Sequence, residues 1–134
     1  MSYRDTFIRI APDSPRRDAV PPPAGKPTIA RLQYELLASR PGELTERELH
    51  FQVHCLRNSI PAHEAESRRS EIEARLFAKP QACLRASPLP KTYGWGVHYD
   101  EQGAIRLVAA GSTEYETLAN GGLKQLAAMR SSRV

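Results

Sequence analysis

Trp95-Gly96-Val97-His98-Tyr99-Asp100-Glu101-Gln102-Gly103-Ala104-Ile105-Arg106-Leu107-Val108-Ala109 is the stretch on which the fold turns. Trp95, Val97 and Tyr99 alternate onto one face of a strand, and Ile105, Leu107 and Ala109 return on a second. Between them, Asp100-Glu101-Gln102-Gly103 is turn chemistry, with glycine free to take a conformation that other residues resist. The spacing predicts a β-hairpin over 94–109.

Toward the N-terminus, Thr6, Ile8 and Ile10 alternate with Asp5, Phe7 and Arg9, a second strand pattern. Residues 11–27 then hold Pro12, Pro15, Pro21, Pro22, Pro23 and Pro27. Proline removes the backbone donors that a helix or a sheet ladder needs, so this reads as a long, stiff loop. Thr28 is placed to cap a helix carrying Ile29, Leu32 and Leu36, which Pro41-Gly42 stops. Thr45 and Glu48 form a capping box ahead of the stripe Leu49, Val53, Leu56 and Ile60. Pro61 opens a third helix with a thin apolar face of Ala65, Ile72 and Leu76, ended by Lys79-Pro80.

Pro88 and Pro90 predict that 87–93 is irregular or extended. After the hairpin, Ser112 or Thr113 caps a short helix through Ala119, which Asn120-Gly121-Gly122 ends. In the last segment Leu123, Gln125, Ala127 and Met129 alternate, while Leu123, Leu126 and Ala127 suit a helix, so periodicity leaves both open. The expected architecture is α+β. A small antiparallel sheet, made of the N-terminal strand, the hairpin and a C-terminal strand, packs against three helices from 28–78.

At 134 residues, the length is that of one domain, expected over 1–134. Such a domain buries about two-thirds of the surface its unfolded chain exposes, enough for one core. Hydrophobic residues at 40% and charged residues at 25% describe an ordinary globule rather than a disordered or fibrous chain. No run approaches the roughly eighteen apolar residues of a membrane span, and Arg4, Asp5 and Arg9 fall where a signal peptide needs an apolar block. Cys55 and Cys83 are the only cysteines, too few for a secreted disulfide framework, so reduced thiols and a cytoplasmic location are expected. The net charge of +4 permits an acidic partner, but acids and bases mix along most of the chain, which argues against nucleic acid.

The exception to that mixing lies between Glu73 and Asp100, where no acid occurs and Arg75, Lys79, Arg85 and Lys91 do. Arginine offers a carboxylate or phosphate a bidentate fork and lysine a point charge, and Tyr93 and Trp95 beside them suit a planar ligand. A hairpin core with Trp95 buried and the bases in solvent accounts for the same residues. Lys26 and Thr28 precede the first long helix, whose free N-terminal amides favour anions. This is no P-loop, because Val20 and Pro27 stand where that motif needs glycine and serine or threonine.

His50 and His54 lie one helical turn apart, a spacing that can chelate a metal, but Phe51 replaces the glutamate of a zinc protease. Cys83 beside Arg85 fits a thiolate nucleophile with His98 as base, and equally a small buried hydrophobe. Neither a nucleophile-elbow serine motif nor a dinucleotide-binding glycine motif occurs, and no cofactor is predicted.

Ile29-Ala30-Arg31-Leu32-Gln33-Tyr34-Glu35-Leu36, the string from Lys79 to His98, and Ala128-Met129-Arg130-Ser131 carry a resemblance along the whole chain. It resembles a bacterial family of short cytosolic proteins of unknown function. The resemblance implies bacterial cytosolic origin and a strand for the final segment, and brings no activity with it. The favoured functional expectation is a cytosolic binding module for a small anionic or planar ligand, or an acidic partner segment. Lys26, Thr28, Arg85, Lys91, Tyr93, Trp95 and His98 would form its site. The alternatives are a small enzyme using Cys83 or His98, and an interaction or self-assembly domain with Trp95 and Tyr99 at an interface.

Overall fold

A computed structural model describes residues 3–130, so Ser131 of the family-like string lies outside the described residues. The chain opens with β1 (Thr6–Arg9), crosses the proline-rich loop and forms α1 (Ile29–Ser39), β2 (Leu44–Thr45) and α2 (Glu46–Arg57). Then come α3 (Ala62–Ser67), α4 (Arg69–Leu76), a 3-10 turn (Leu84–Ala86) and the single-turn helix α5 (Pro88–Lys91). The hairpin strands β3 (Trp95–Tyr99) and β4 (Ala104–Ala109), helix α6 (Thr113–Ala119) and β5 (Lys124–Ala127) complete it.

The five strands lie in the order β2-β4-β3-β1-β5. The α+β class stands, with one correction: the sheet is mixed. β5 pairs parallel with β1, Thr6 opposite Lys124 and Arg9 opposite Ala127, while the other pairings are antiparallel. A parallel pair cannot be joined by a tight turn, and α6 lies within the long connection that returns the chain to the far side of β1. The final segment is therefore a strand, because β1 offers it an unpaired edge.

Two further differences have local causes. The third helix is two, since Arg68 leaves helical geometry (φ −113, ψ 22) between α3 and α4. Past the bend, Ile72 packs with Phe51 and Cys55 of α2. Residues 88–91 are helical rather than extended because Pro88 sits in the first turn, where helix amides have no intrahelical partner to lose. Ser87 caps this turn by accepting from the Leu89 amide.

The sheet is covered on both faces. Ile8, Val97, Tyr99 and Ile105 pack with Leu37 of α1 and Leu49 and Val53 of α2, and with Leu84, Leu89 and Ala128. Phe7 and Val108 meet Tyr115 of α6 on the other side. Each fully buried side chain of this size contributes about 1.5–3 kcal/mol. Gly96 is required where the second layer is closest, since a Cβ there would stand 2.8 Å from both Phe7 Cζ and Tyr115 Cε2.

The proline-rich loop is fastened to the body of the fold. The Ala11 amide donates to Pro90 O at 2.9 Å and the Val20 amide to Tyr93 O at 3.0 Å. Trp95 Nε1 donates to Val20 O at 2.8 Å, and Arg31 Nη1 to Pro22 O at 2.9 Å. Gly94, at φ +80, is what lets the loop lie this close, since a Cβ there would stand 2.2 Å from Asp18 O.

Candidate functional site

Helix α2 supplies one wall of the site. Thr45 caps it by accepting from the Glu48 amide at 3.2 Å, which sets Glu46, His50 and His54 on successive turns of one side. Opposite, residues 76–93 fold back through the 3-10 turn and α5, bringing Cys83, Ser87 and Tyr93 toward α2. Two adjoining hollows lie between these walls. The larger, about 710 Å³, is lined by Thr28, Gln33, His50, His54, Arg57 and Tyr93 among apolar neighbours such as Val53 and Leu76. The smaller, about 530 Å³, is lined by Tyr3, Glu46, Arg47, His50, Lys79 and Cys83, with Phe77. His50, Gln81 and Cys83 line both.

Where the hollows meet, polar groups are held in low-dielectric surroundings. Glu46 is only 4% exposed and accepts a 2.5 Å hydrogen bond from the hydroxyl of Tyr99, itself fully buried. Its other oxygen stands 3.9 Å from His50 Nε2, a nitrogen without a hydrogen-bond partner among the described residues. Burial pushes the His50 pKa below its usual value, and the Glu46 carboxylate offsets this only in part, so near neutral pH the imidazole is uncharged. The Tyr99 hydroxyl is pushed far up, by burial first and then by Glu46, and stays a donor. Tyr3 Oη donates to Cys83 Sγ at 4.0 Å, and its ring meets Tyr99 edge-on at 5.3 Å. Burial and then Cys83 raise the Tyr3 pKa.

The residues singled out in the sequence are spread over several places. Thr28, Tyr93, Cys83, His50 and His54 line the larger hollow. Thr28 spends its hydroxyl capping α1, accepting from the Arg31 amide at 3.2 Å. Lys26 is exposed, and neither it nor Lys91 lines the two hollows. Arg85 lines neither hollow: its Nε donates to Ala127 O at 2.7 Å, and its guanidinium also acts on the Tyr3 hydroxyl, opposing the rise in that group's pKa. Trp95 is half-buried against Tyr34, with centroids 5.5 Å apart, and holds the proline-rich loop.

His98 lies on the opposite face of the sheet, between Phe7 and Arg106 in the ladder. There burial first, and Arg106 next, lower its pKa. Of the expected set Lys26, Thr28, Arg85, Lys91, Tyr93, Trp95 and His98, Thr28 and Tyr93 line the larger hollow, and the other five line neither hollow. His50 and His54 gain no third protein ligand: no group of three or more His, Cys, Asp or Glu among the described residues could hold a metal.

The matched family model covers residues 1–134. The chain belongs to a family of unknown function (DUF6157). No curated protein and no solved structure matches it. The DUF6157 chain thus takes its functional reading from its own geometry, and the residues at the heart of that geometry include three the sequence reading did not single out: Glu46, Tyr3 and Arg57. Glu46 was findable, because its spacing from His50 puts both on one helix face. Tyr3 was not, since only the tertiary fold brings it to Cys83.

Proposed function

We propose that this chain is a bacterial cytoplasmic protein that binds a small organic anion, a carboxylate on a planar or apolar body, in the hollow between α2 and residues 76–93. The observation that carries the reading is the lining of the larger hollow. Arg57, His50, His54 and Asn58 surround an apolar floor, and no acidic side chain is among the described residues that line it. A concave apolar site with a few convergent donors is the usual form of a small-ligand pocket. An arginine at its rim supplies the fork that a carboxylate fits. Tyr93 gives a planar ligand a ring to lie against. The two cysteines are free, and no helix among the described residues is long and apolar enough to cross a membrane.

A thermal-shift screen of aromatic and aliphatic carboxylates, nucleotides and phosphorylated metabolites tests this. A carboxylate at about 100 times its Kd should stabilise the chain by about 2.7 kcal/mol. An Arg57→Ala, His54→Gln double variant should lose most of that response. No response to any carboxylate, or an identical response in the double variant, would refute the reading.

A further inference from the structure

Tyr99, Glu46 and His50 form a buried polar cluster whose hydrogen bonds stop one short. The Tyr99 hydroxyl donates to Glu46 Oε1, while Oε2 stands 3.9 Å from His50 Nε2, too far for a hydrogen bond. That nitrogen has no other partner among the described residues and is closed to water where it stands. A buried polar atom left in this way is costly, so the gap between Oε2 and Nε2 suits a group that serves both. Glu46 only accepts. With the ring proton on Nε2, the tautomer assigned from the carboxylate beside it, this nitrogen only donates. A hydroxyl, donor and acceptor at once, answers both. An ammonium would leave the His50 donor unanswered and would meet Arg47 and Lys79, which line the same hollow.

We infer that the organic acid bound between α2 and residues 76–93 carries a hydroxyl at the end opposite its carboxylate, and that Glu46 and His50 are the residues that select it. For the carboxylate end this rests on the anion-binding reading above. Glu46 borders the smaller hollow and His50 borders both. The His50 side chain is 14% exposed and the outer torsion of a histidine is soft, so a small turn of the ring presents Nε2 to a group in the hollow. Along α2, His50 precedes His54 by four residues and Arg57 by seven, about 6 and about 10 Å at the rise of a helix. A para-hydroxyphenyl ring with a short chain to its carboxylate covers that span, and Tyr93 offers the ring a face. The ligand class is therefore a phenolic acid, whose hydroxyl donates to a carboxylate more strongly than an aliphatic alcohol does. A site whose buried polar groups the wrong ligand leaves unpaired rejects that ligand more sharply than an apolar pocket can by size alone.

Calorimetric titration of the parent chain with para-hydroxycinnamate and with cinnamate tests this without any variant. The hydroxylated acid should bind about tenfold tighter or more, the worth of one hydrogen bond to a charged group. Para-methoxycinnamate, which accepts but cannot donate, should bind no tighter than cinnamate. His50→Leu should bring the affinities for para-hydroxycinnamate and cinnamate together.

Equal affinities of the parent for those two acids, or a preference undiminished in His50→Leu, overturn the inference and leave the anion-binding reading standing. Para-ethylphenol has the hydroxyl and no carboxylate. Its binding to the parent and not to His50→Leu, in a chain that takes none of the acids, would keep Glu46 and His50 as a hydroxyl site and remove the anion-binding reading. Binding of none of the four compounds removes both.

Discussion

Tyr99→Phe deletes a single oxygen at the centre of the cluster and so tests whether the buried carboxylate depends on it. Tyr99 is fully buried and Glu46 is 4% exposed, joined at 2.5 Å. The ring still fills its space, so no cavity term enters, and the loss is that of one hydrogen bond to a charged acceptor. Such a bond is worth about 1.5–3 kcal/mol, and among the described residues the carboxylate left behind keeps the His50 contact. Equilibrium urea unfolding should show that loss with an unchanged slope, a midpoint lower by on the order of 1 M for a slope of about 1–3 kcal/mol/M. A double-mutant cycle with Glu46→Gln should give a coupling of at least about 1 kcal/mol. A loss below about 0.5 kcal/mol, the size of an ordinary surface change, would show that Glu46 is solvated or paired some other way and would refute the buried cluster.

Gly94→Ala forces a side chain into a left-handed backbone and against Asp18 O, and should cost at least about 2 kcal/mol. It should also hasten proteolysis within 11–27, and a parent-like cleavage rate would mean that the loop is not held there. Arg85→Gln removes the donor to Ala127 O, so amide hydrogen exchange at 124–128 should accelerate while α2 keeps its protection.

Acid should destabilise the fold in two stages. His50 and His98 have folded pKa values below their ordinary 6.5, so their stabilisation is present above that pH and is lost as pH falls through the folded values. Glu48 sits below its ordinary 4.5, its burial outweighed by hydrogen bonds from Arg69 and Gln52, and its contribution is lost below that pH. His50→Gln should flatten the upper stage measured by urea unfolding against pH, and an unchanged profile would count against the buried imidazole.

The fold was legible where the signal is local. The hairpin followed from alternation around a turn in which Asp100 Oδ1 accepts from the Gln102 and Ala104 amides. Helices α2 and α6 followed from their caps, Thr45 accepting from the Glu48 amide and Ser112 from the Tyr115 amide. What stayed hidden is non-local. β5 reads equally as helix until β1 supplies its ladder, and the two-residue β2 exists only as a partner for Ile105 and Ala104.

The candidate site shows the same divide more sharply. Proximity in sequence grouped Arg85, Trp95 and His98, yet the period of two that puts Trp95, Val97 and Tyr99 on one face puts His98 on the other. Arg85 bonds a carbonyl in the C-terminal strand and bears on Tyr3, without lining either hollow itself. The residues that do line both hollows, His50, Gln81 and Cys83, are brought to them by the return of residues 76–93 across α2, which no window of sequence displays.

That return also explains how the hollows are kept open on one side and accessible on the other. α2 is braced from behind by α4, where Arg69 bonds Glu48 and Glu73 and lies over Phe51, and Arg47 reaches Glu73 at 2.8 Å and covers Phe77. Exposed pairs of this kind are individually weak, but a shared network with stacked rings fixes the relative placement of two helices better than isolated pairs do. Facing this braced wall, residues 78–82 are exposed and fastened mainly through Gln81 Nε2, which donates to Leu76 O and Lys79 O. A segment with few buried contacts is the one that opens at least cost. Lys79 and Gln81 stand on that segment at the mouth of the smaller hollow, while Glu46 and Tyr99 stay anchored in the core behind it. Glu46, His50 and His54 are thus held by the braced wall, and the segment that opens at least cost, residues 78–82, lies on the other.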